Sequence, residues 1–184
     1  METISYQDRL SVIFMSNIYL IGFMGVGKST AGKKLALKLG YNYIDTDKVF
    51  ENQFKLGIET FFNKYGEELF RKLEHEVLES TFAYGNCVVS TGGGMPCYKD
   101  SMDKINYNGV SVYLEMNEKS ILNRLLASKQ KRPLLKNLSE NELLLFIQGK
   151  LGERRSYYEQ ANIIVPALSI SIDSLANQLV DFSV

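Results

Sequence analysis

The run Gly22-Phe23-Met24-Gly25-Val26-Gly27-Lys28-Ser29 carries the spacing G-x-x-x-x-G-K-[ST]. Glycines at these places let backbone N–H groups close around phosphate oxygens, while Lys28 reaches the outer phosphates and the Ser29 hydroxyl is a ligand for Mg²⁺. The N-terminus of a following helix adds positive partial charge. Such a loop binds a nucleoside triphosphate, and motors, switches and kinases all share it.

Four other groupings have residue types suited to chemistry. Asp45-Thr46-Asp47 follows a short apolar run, and on an extended backbone residues two apart project to one side. Two carboxylates at a strand's carboxyl end can hold Mg²⁺ through water and accept a proton from an attacking hydroxyl, though either also suits a helix cap. Thr91-Gly92-Gly93-Gly94 follows another apolar run. Three successive glycines imply close backbone approach or positive φ, hence a ligand wall or a plain turn. Arg71 and Glu74 are neighbours on one helix face, a spacing that by itself describes a solvated surface pair. In Arg132-Pro133-Leu134-Leu135 an arginine can swing over a transferring phosphate, and in Glu153-Arg154-Arg155-Ser156-Tyr157-Tyr158 either arginine can fork a carboxylate. Spacing alone does not choose between Arg154 and Arg155.

These residues need a frame, and the apolar pattern supplies one. Asn17-Ile18-Tyr19-Leu20-Ile21, Tyr43-Ile44, Cys87-Val88-Val89-Ser90, Val110-Ser111-Val112-Tyr113-Leu114 and Ile163-Ile164-Val165 read as five strands. Between and after them, helical patterns cover Ala31 to Leu39, Thr46 to Gln53, Ile58 to Lys64, Glu67 to Thr81, Asp100 to Asn106, Glu118 to Ser128, Glu140 to Gln160 and Ser174 to Phe182, with Ser139 as an N-cap. The alternation predicts an α/β fold whose mostly parallel sheet is covered on both faces. Met1 to Ser16 precedes the first strand as an extension of unknown role, and the polar, basic stretch from Lys129 through Asn137 is a candidate mobile loop.

Composition narrows the function. The 184 residues carry no formal net charge, with 45% hydrophobic and 23% charged, which suits one compact domain and gives no positive field for nucleic acid. Cys87, Cys97 and the single His75 have no zinc-ligand spacing, and His75 is expected at the surface or capping a contact. No stretch is long enough to span a bilayer, and the N-terminus lacks a basic region followed by a long apolar core, so a cytoplasmic protein is expected.

Taken in order, these blocks resemble shikimate kinase, a family of small kinases that phosphorylate the 3-hydroxyl of shikimate with ATP in chorismate and aromatic amino acid biosynthesis. The carriers are Gly22 to Ser29, Asp45-Thr46-Asp47, Gly66-Glu67…Phe70-Arg71…Glu74, Gly92-Gly93-Gly94, Arg132-Pro133-Leu134-Leu135 and Arg154…Tyr158. The resemblance implies a three-layer α/β/α P-loop kinase fold with a five-stranded parallel sheet and a mobile lid at about residues 128–138, all within a single domain from residue 17 to 184. It implies that Gly25, Val26, Gly27, Lys28, Ser29, Thr30 and Arg132 bind ATP, with Lys28, Arg132 and the general base Asp47 catalytic. Asp47, Arg71, Glu74, Gly92, Gly93, Gly94 and Arg154 bind substrate, with Phe62 and Phe70 on its apolar side; Ser29 and Asp45 serve Mg²⁺. Arg154 is aligned with the family's arginine because it lies four residues before Tyr158, and Ser156 stands where the family usually has proline. Arg124 is the candidate for the adenine side. ATP and shikimate are the expected partners of a monomer, without nucleic acid or membrane. The alternatives are a related small-metabolite kinase acting on gluconate or a nucleoside, or a non-catalytic ATP-binding module; no Asn-Lys-x-Asp motif supports a GTPase.

Overall fold

A computed structural model describes residues 16–128 and 138–182. Its strands are β1 (Asn17–Ile21), β2 (Asn42–Asp45), β3 (Cys87–Ser90), β4 (Gly109–Glu115) and β5 (Ile163–Pro166), and they form one sheet in the order β2-β3-β1-β4-β5. Every pairing is parallel, with Ile18 opposite Val88 on one side and Val110 on the other. All five residues of β1 are buried, as a strand covered on both faces must be. Among the described residues this is the parallel sheet expected from the alternation of apolar runs, and the five-stranded, three-layer α/β/α arrangement that the resemblance implies.

The helices are α1 (Lys28–Leu39), α2 (Thr46–Phe54), α3 (Ile58–Thr81), α4 (Ser101–Asn108), α5 (Glu118–Ala127), α6 (Glu140–Tyr158) and α7 (Ile172–Phe182). From β1 the chain moves outward to β2, and from β3 it crosses β1 to reach β4. Right-handed crossovers in opposite directions send α1 and α4 to opposite faces and open a crevice at the carboxyl ends of β1 and β3. The phosphate loop leaves β1 there, and the three glycines leave β3.

Local chemistry sets the helix ends. Asn117 accepts the Ser120 N–H at 2.9 Å, and Ser139 with Glu142 forms a complete capping box. The two helices expected at Ile58 to Lys64 and Glu67 to Thr81 run together as α3, broken at Gly66 with φ of 83°. Nothing lies within 4 Å of a Cβ built there, so conformation and not space requires the glycine.

Two expectations are corrected and one element is added. The extended backbone ends at Asp45, so Asp47 sits on the first turn of α2. A 3₁₀ turn at Met95–Cys97, unforeseen in the sequence, follows the glycine run. Of the two places expected for His75, the surface is the wrong one: it is buried, with Nδ1 3.0 Å from the Ser101 hydroxyl, because its face of α3 packs on the start of α4. The main core gathers both faces of the sheet, while Phe50, Phe61, Phe70 and Val77 make a second apolar cluster between α2 and α3.

Candidate active site

Gly22, Gly25 and Gly27 have φ of 135°, 83° and 103°, values that side chains resist, and the loop they shape runs directly into α1. Lys28 is bent back over the loop, its Nζ donating to the Gly22 and Phe23 carbonyls at 2.7 and 2.9 Å. One step on, the Ser29 hydroxyl donates to Asp45 Oδ2 at 2.9 Å. Tyr43 donates to the same oxygen at 3.1 Å, and Asp45 Oδ1 accepts the Lys48 N–H at 3.4 Å. Asp45 is thus both a helix cap and a partner of the phosphate loop, because its two oxygens face different elements.

The glycine wall is held by charged groups. A Cβ on Gly92 would overlap Glu74 Oε1 and lie 3.0 Å from Asp47 Oδ1, and one on Gly94 would lie 2.5 to 2.7 Å from the Arg71 guanidinium. Gly93 nests against the phosphate loop, its built Cβ 3.4 Å from the Met24 nitrogen and 3.5 Å from Arg154 Nη1. Buried Tyr158 donates to the Gly93 carbonyl at 2.5 Å, and its ring lies 5.1 Å from that of Tyr113. Gly92 and Gly94 need glycine for this close approach, whereas a side chain at Gly93 would meet only ordinary contacts.

Arg71 is fixed by two carboxylates. Its Nη1 donates to Glu74 Oε2 at 2.6 Å and its Nε to Glu67 Oε1 at 3.3 Å, while the guanidinium carbon stands 5.2 Å from the Phe70 ring centroid. Burial pushes the Glu74 carboxyl above its ordinary range, and Arg71 pulls it back. Arg154 lies over the Phe23 ring at 5.6 Å. Cys97 stands beside both arginines, yet burial pushes its thiol up to about 11, so it is neutral and no nucleophile at neutral pH.

Two cavities lie along this wall, Gly93 lining one and Gly94 the other. A cavity of about 520 Å³ is lined by Gly25, Gly27, Lys28, Ser29, Thr30, Asp45, Asp47 and Gly93 among others; a second, of about 590 Å³, is lined by Arg71, Gly94, Cys97, Tyr98, Arg154 and Tyr157 with Glu67, Glu68, Lys150 and Glu153. A third cleft of about 200 Å³ shares Gly27, Thr30 and Arg124 with the first and is otherwise largely apolar, through Val26, Ala31, Leu114, Ala167, Ile170 and Ile172. One cavity suits phosphates, one a carboxylate, and the cleft a flat apolar ring.

Residues 24–183 match the family model described as shikimate kinase. This chain belongs to the shikimate kinase family. It is 38% identical over 173 residues to a shikimate kinase from Phocaeicola vulgatus, covering 90% of this chain and 99% of that one. Among solved structures, shikimate kinase from Bacteroides thetaiotaomicron is 37% identical with a TM-score of 0.85, covering 91% of this chain and 97% of its own. Shikimate kinase from Acinetobacter baumannii, solved in complex with shikimate, is 30% identical with a TM-score of 0.79 over 94% and 95% of the two chains. As a shikimate kinase, the chain is an ATP-dependent transferase.

The structure brings together Gly25, Gly27, Lys28, Ser29, Thr30, Asp45 and Asp47 in the first cavity, with Val26 buried behind them. Arg71, Gly94 and Arg154 line the second, and Glu74 and Gly92 back the wall between. Phe62 and Phe70 pack in the apolar cluster of α2 and α3 and line neither cavity. Arg132 and most of the expected lid lie outside the described residues. Sequence reading named Tyr158 without a role and missed Tyr43 and the apolar cleft. Tyr43 had a usable signal, because it stands two residues before Asp45 on one strand and therefore shares its side.

Proposed function

We propose that the protein transfers the γ-phosphoryl group of ATP to the 3-hydroxyl of shikimate, giving shikimate 3-phosphate and ADP, a step in aromatic amino acid biosynthesis. What carries the reading is that Arg71 and Arg154 line one cavity beside a glycine wall whose other side is the phosphate loop. A hydroxylated carboxylic acid fits this division: its carboxylate meets two guanidinium groups, and its hydroxyls reach past Gly93 toward Asp47.

In this mechanism the loop amides and Lys28 hold the β- and γ-phosphates, and Arg124 covers adenine seated in the apolar cleft. Its Nη1 already donates to the Val26 carbonyl at 2.8 Å, which sets the guanidinium at the cleft's edge. Glu74 fixes Arg71, and Tyr158 fixes the Gly93 carbonyl. Asp47 takes the proton from the 3-hydroxyl as its oxygen attacks the γ-phosphorus, and Lys28 stabilises charge on the transferring group. Arg132 joins Lys28 on the phosphates by the family resemblance.

The Ser29 hydroxyl would ligate Mg²⁺ directly and Asp45 would act behind it through water, which suits a cation that takes few protein oxygens and keeps several waters. Bound there with ATP, Mg²⁺ would supply charge neutralisation at the phosphates. Among the described residues no helix is long and apolar enough to cross a membrane. A cytoplasmic monomer completes the proposal.

The test is steady-state ADP release at fixed Mg-ATP with shikimate, gluconate or nucleosides added singly. Strong stimulation by shikimate alone is expected. Stimulation by another acceptor instead, or by none, overturns the reading.

A further inference from the structure

We infer that Tyr43 is a positioning residue for the Mg²⁺ end of the site, holding Asp45 so that Asp45 in turn orients Ser29. The inference rests on the proposed service of Ser29 and Asp45 to the metal.

A serine that ligates a cation through oxygen must point its proton elsewhere. Asp45 Oδ2 accepts that proton at 2.9 Å, and the Tyr43 hydroxyl donates to the same oxygen at 3.1 Å. With Lys48 N–H on Oδ1, three donors fix both carboxylate oxygens from strand β2 and helices α1 and α2. Without the phenol, Oδ2 keeps one donor, and the carboxylate can rotate away from Ser29.

The seat of the ring is built for this contact. Gly32 on α1 lies against the Tyr43 edge: a Cβ there would stand 2.7 Å from Tyr43 Cε2 and 2.8 Å from the Ser90 hydroxyl. That approach, with no side chain intervening, presses the ring onto the helix that carries Ser29. The Lys33 ammonium stands over the ring, 5.8 Å from its centroid. The phenol therefore bridges β2 and α1 beside the Asp45 oxygen that orients Ser29.

The test compares wild type, Tyr43→Phe, Asp45→Asn and the double variant in the full chain, by two readouts. One is the Mg²⁺ concentration giving half-maximal ADP release; the other is Mn²⁺ binding to the ADP complex, followed by the free Mn²⁺ paramagnetic signal. Removing an outer hydrogen-bond partner of a metal ligand typically weakens metal binding roughly 10–100-fold, and for one donor of three we expect about threefold to tenfold with Tyr43→Phe in both readouts. Excess metal should restore turnover, KM for shikimate should not move, and Tyr43→Phe should add nothing to Asp45→Asn. Unchanged metal parameters in Tyr43→Phe beside weakened ones in Asp45→Asn would overturn the role of Tyr43 and leave the metal reading standing. If Asp45→Asn also leaves them unchanged, the metal reading falls and this inference with it.

Discussion

Asp47 lies on the phosphate side of the glycine wall, beside Gly92 and near Glu74, where the proposed mechanism brings the acceptor hydroxyl. Asp47→Asn keeps the shape and removes the proton acceptor. A positioned general base contributes about 10²–10⁴-fold, so kcat should fall by that order while ATP affinity, measured by titration calorimetry, holds. Turnover near that of wild type would remove Asp47 as the base. Glu74 predicts a pH effect. Burial raises its folded-state pKa, so as pH falls the carboxylate is neutralised above the ordinary glutamate range and loosens its hold on Arg71. KM for shikimate should therefore rise on the acid side, and Glu74→Gln should flatten that limb at a uniformly higher KM. The stability sign runs the other way: with a raised folded pKa, this group's contribution is full at low pH and is lost as pH rises through that pKa. Acid should weaken binding without this group unfolding the protein, which thermal melts across the same pH range will separate.

Helix α6 carries two adjacent arginines, and at roughly 100° per residue they face different neighbours. Arg154 turns to Phe23 and the acceptor cavity; Arg155 turns to Glu118, 3.5 Å away and half exposed. Hydrogen bonds to charged groups contribute about 1.5–3 kcal/mol, so Arg154→Ala should raise KM for shikimate roughly 10- to 150-fold, whereas Arg155→Ala, breaking an exposed pair worth about 0–1 kcal/mol at most, should leave it near wild type. The opposite ranking in steady-state kinetics would reverse the assignment. The same contrast shows what a sequence carries. The phosphate loop was legible because strand, glycines, lysine and helix are contiguous, and the Ser139 cap because its partner Glu142 is three residues on. The break at Gly66 was legible as two helices, since a glycine between helical patterns is a local signal. Which arginine faces the cavity depends on how α6 packs, and His75 on the placing of α4; neither is local. Asp45 offered two readings that excluded each other only on paper, because tertiary packing brings Ser29 to the oxygen the cap does not use.

At the scale of the whole molecule, the acceptor cavity is assembled from parts with separate supports. Arg71 belongs to α3, which rests on its own aromatic cluster with α2 and is tied to the sheet at its far end, where the Asn17 amide donates to the Thr81 and Tyr84 carbonyls at 3.1 and 2.9 Å. Arg154 belongs to α6, which is joined to the glycine wall through Tyr158. A carboxylate shared by the two arginines would link these parts, and ligand binding to the folded state alone must then raise the melting temperature. At 100 times its Kd a ligand stabilises by about 2.7 kcal/mol. For a domain of this size, 1 kcal/mol corresponds to about 2–4 °C, so saturating shikimate should raise Tm by about 5–11 °C in scanning fluorimetry. Arg71→Ala should lose most of that shift at the same concentration, and Arg155→Ala should keep it. The methyl ester of shikimate, which keeps every hydroxyl and lacks the anion, should give wild type a much smaller shift. An equal shift from acid and ester would mean that the hydroxyl end alone supplies the affinity, and the two-arginine clamp would have to be abandoned.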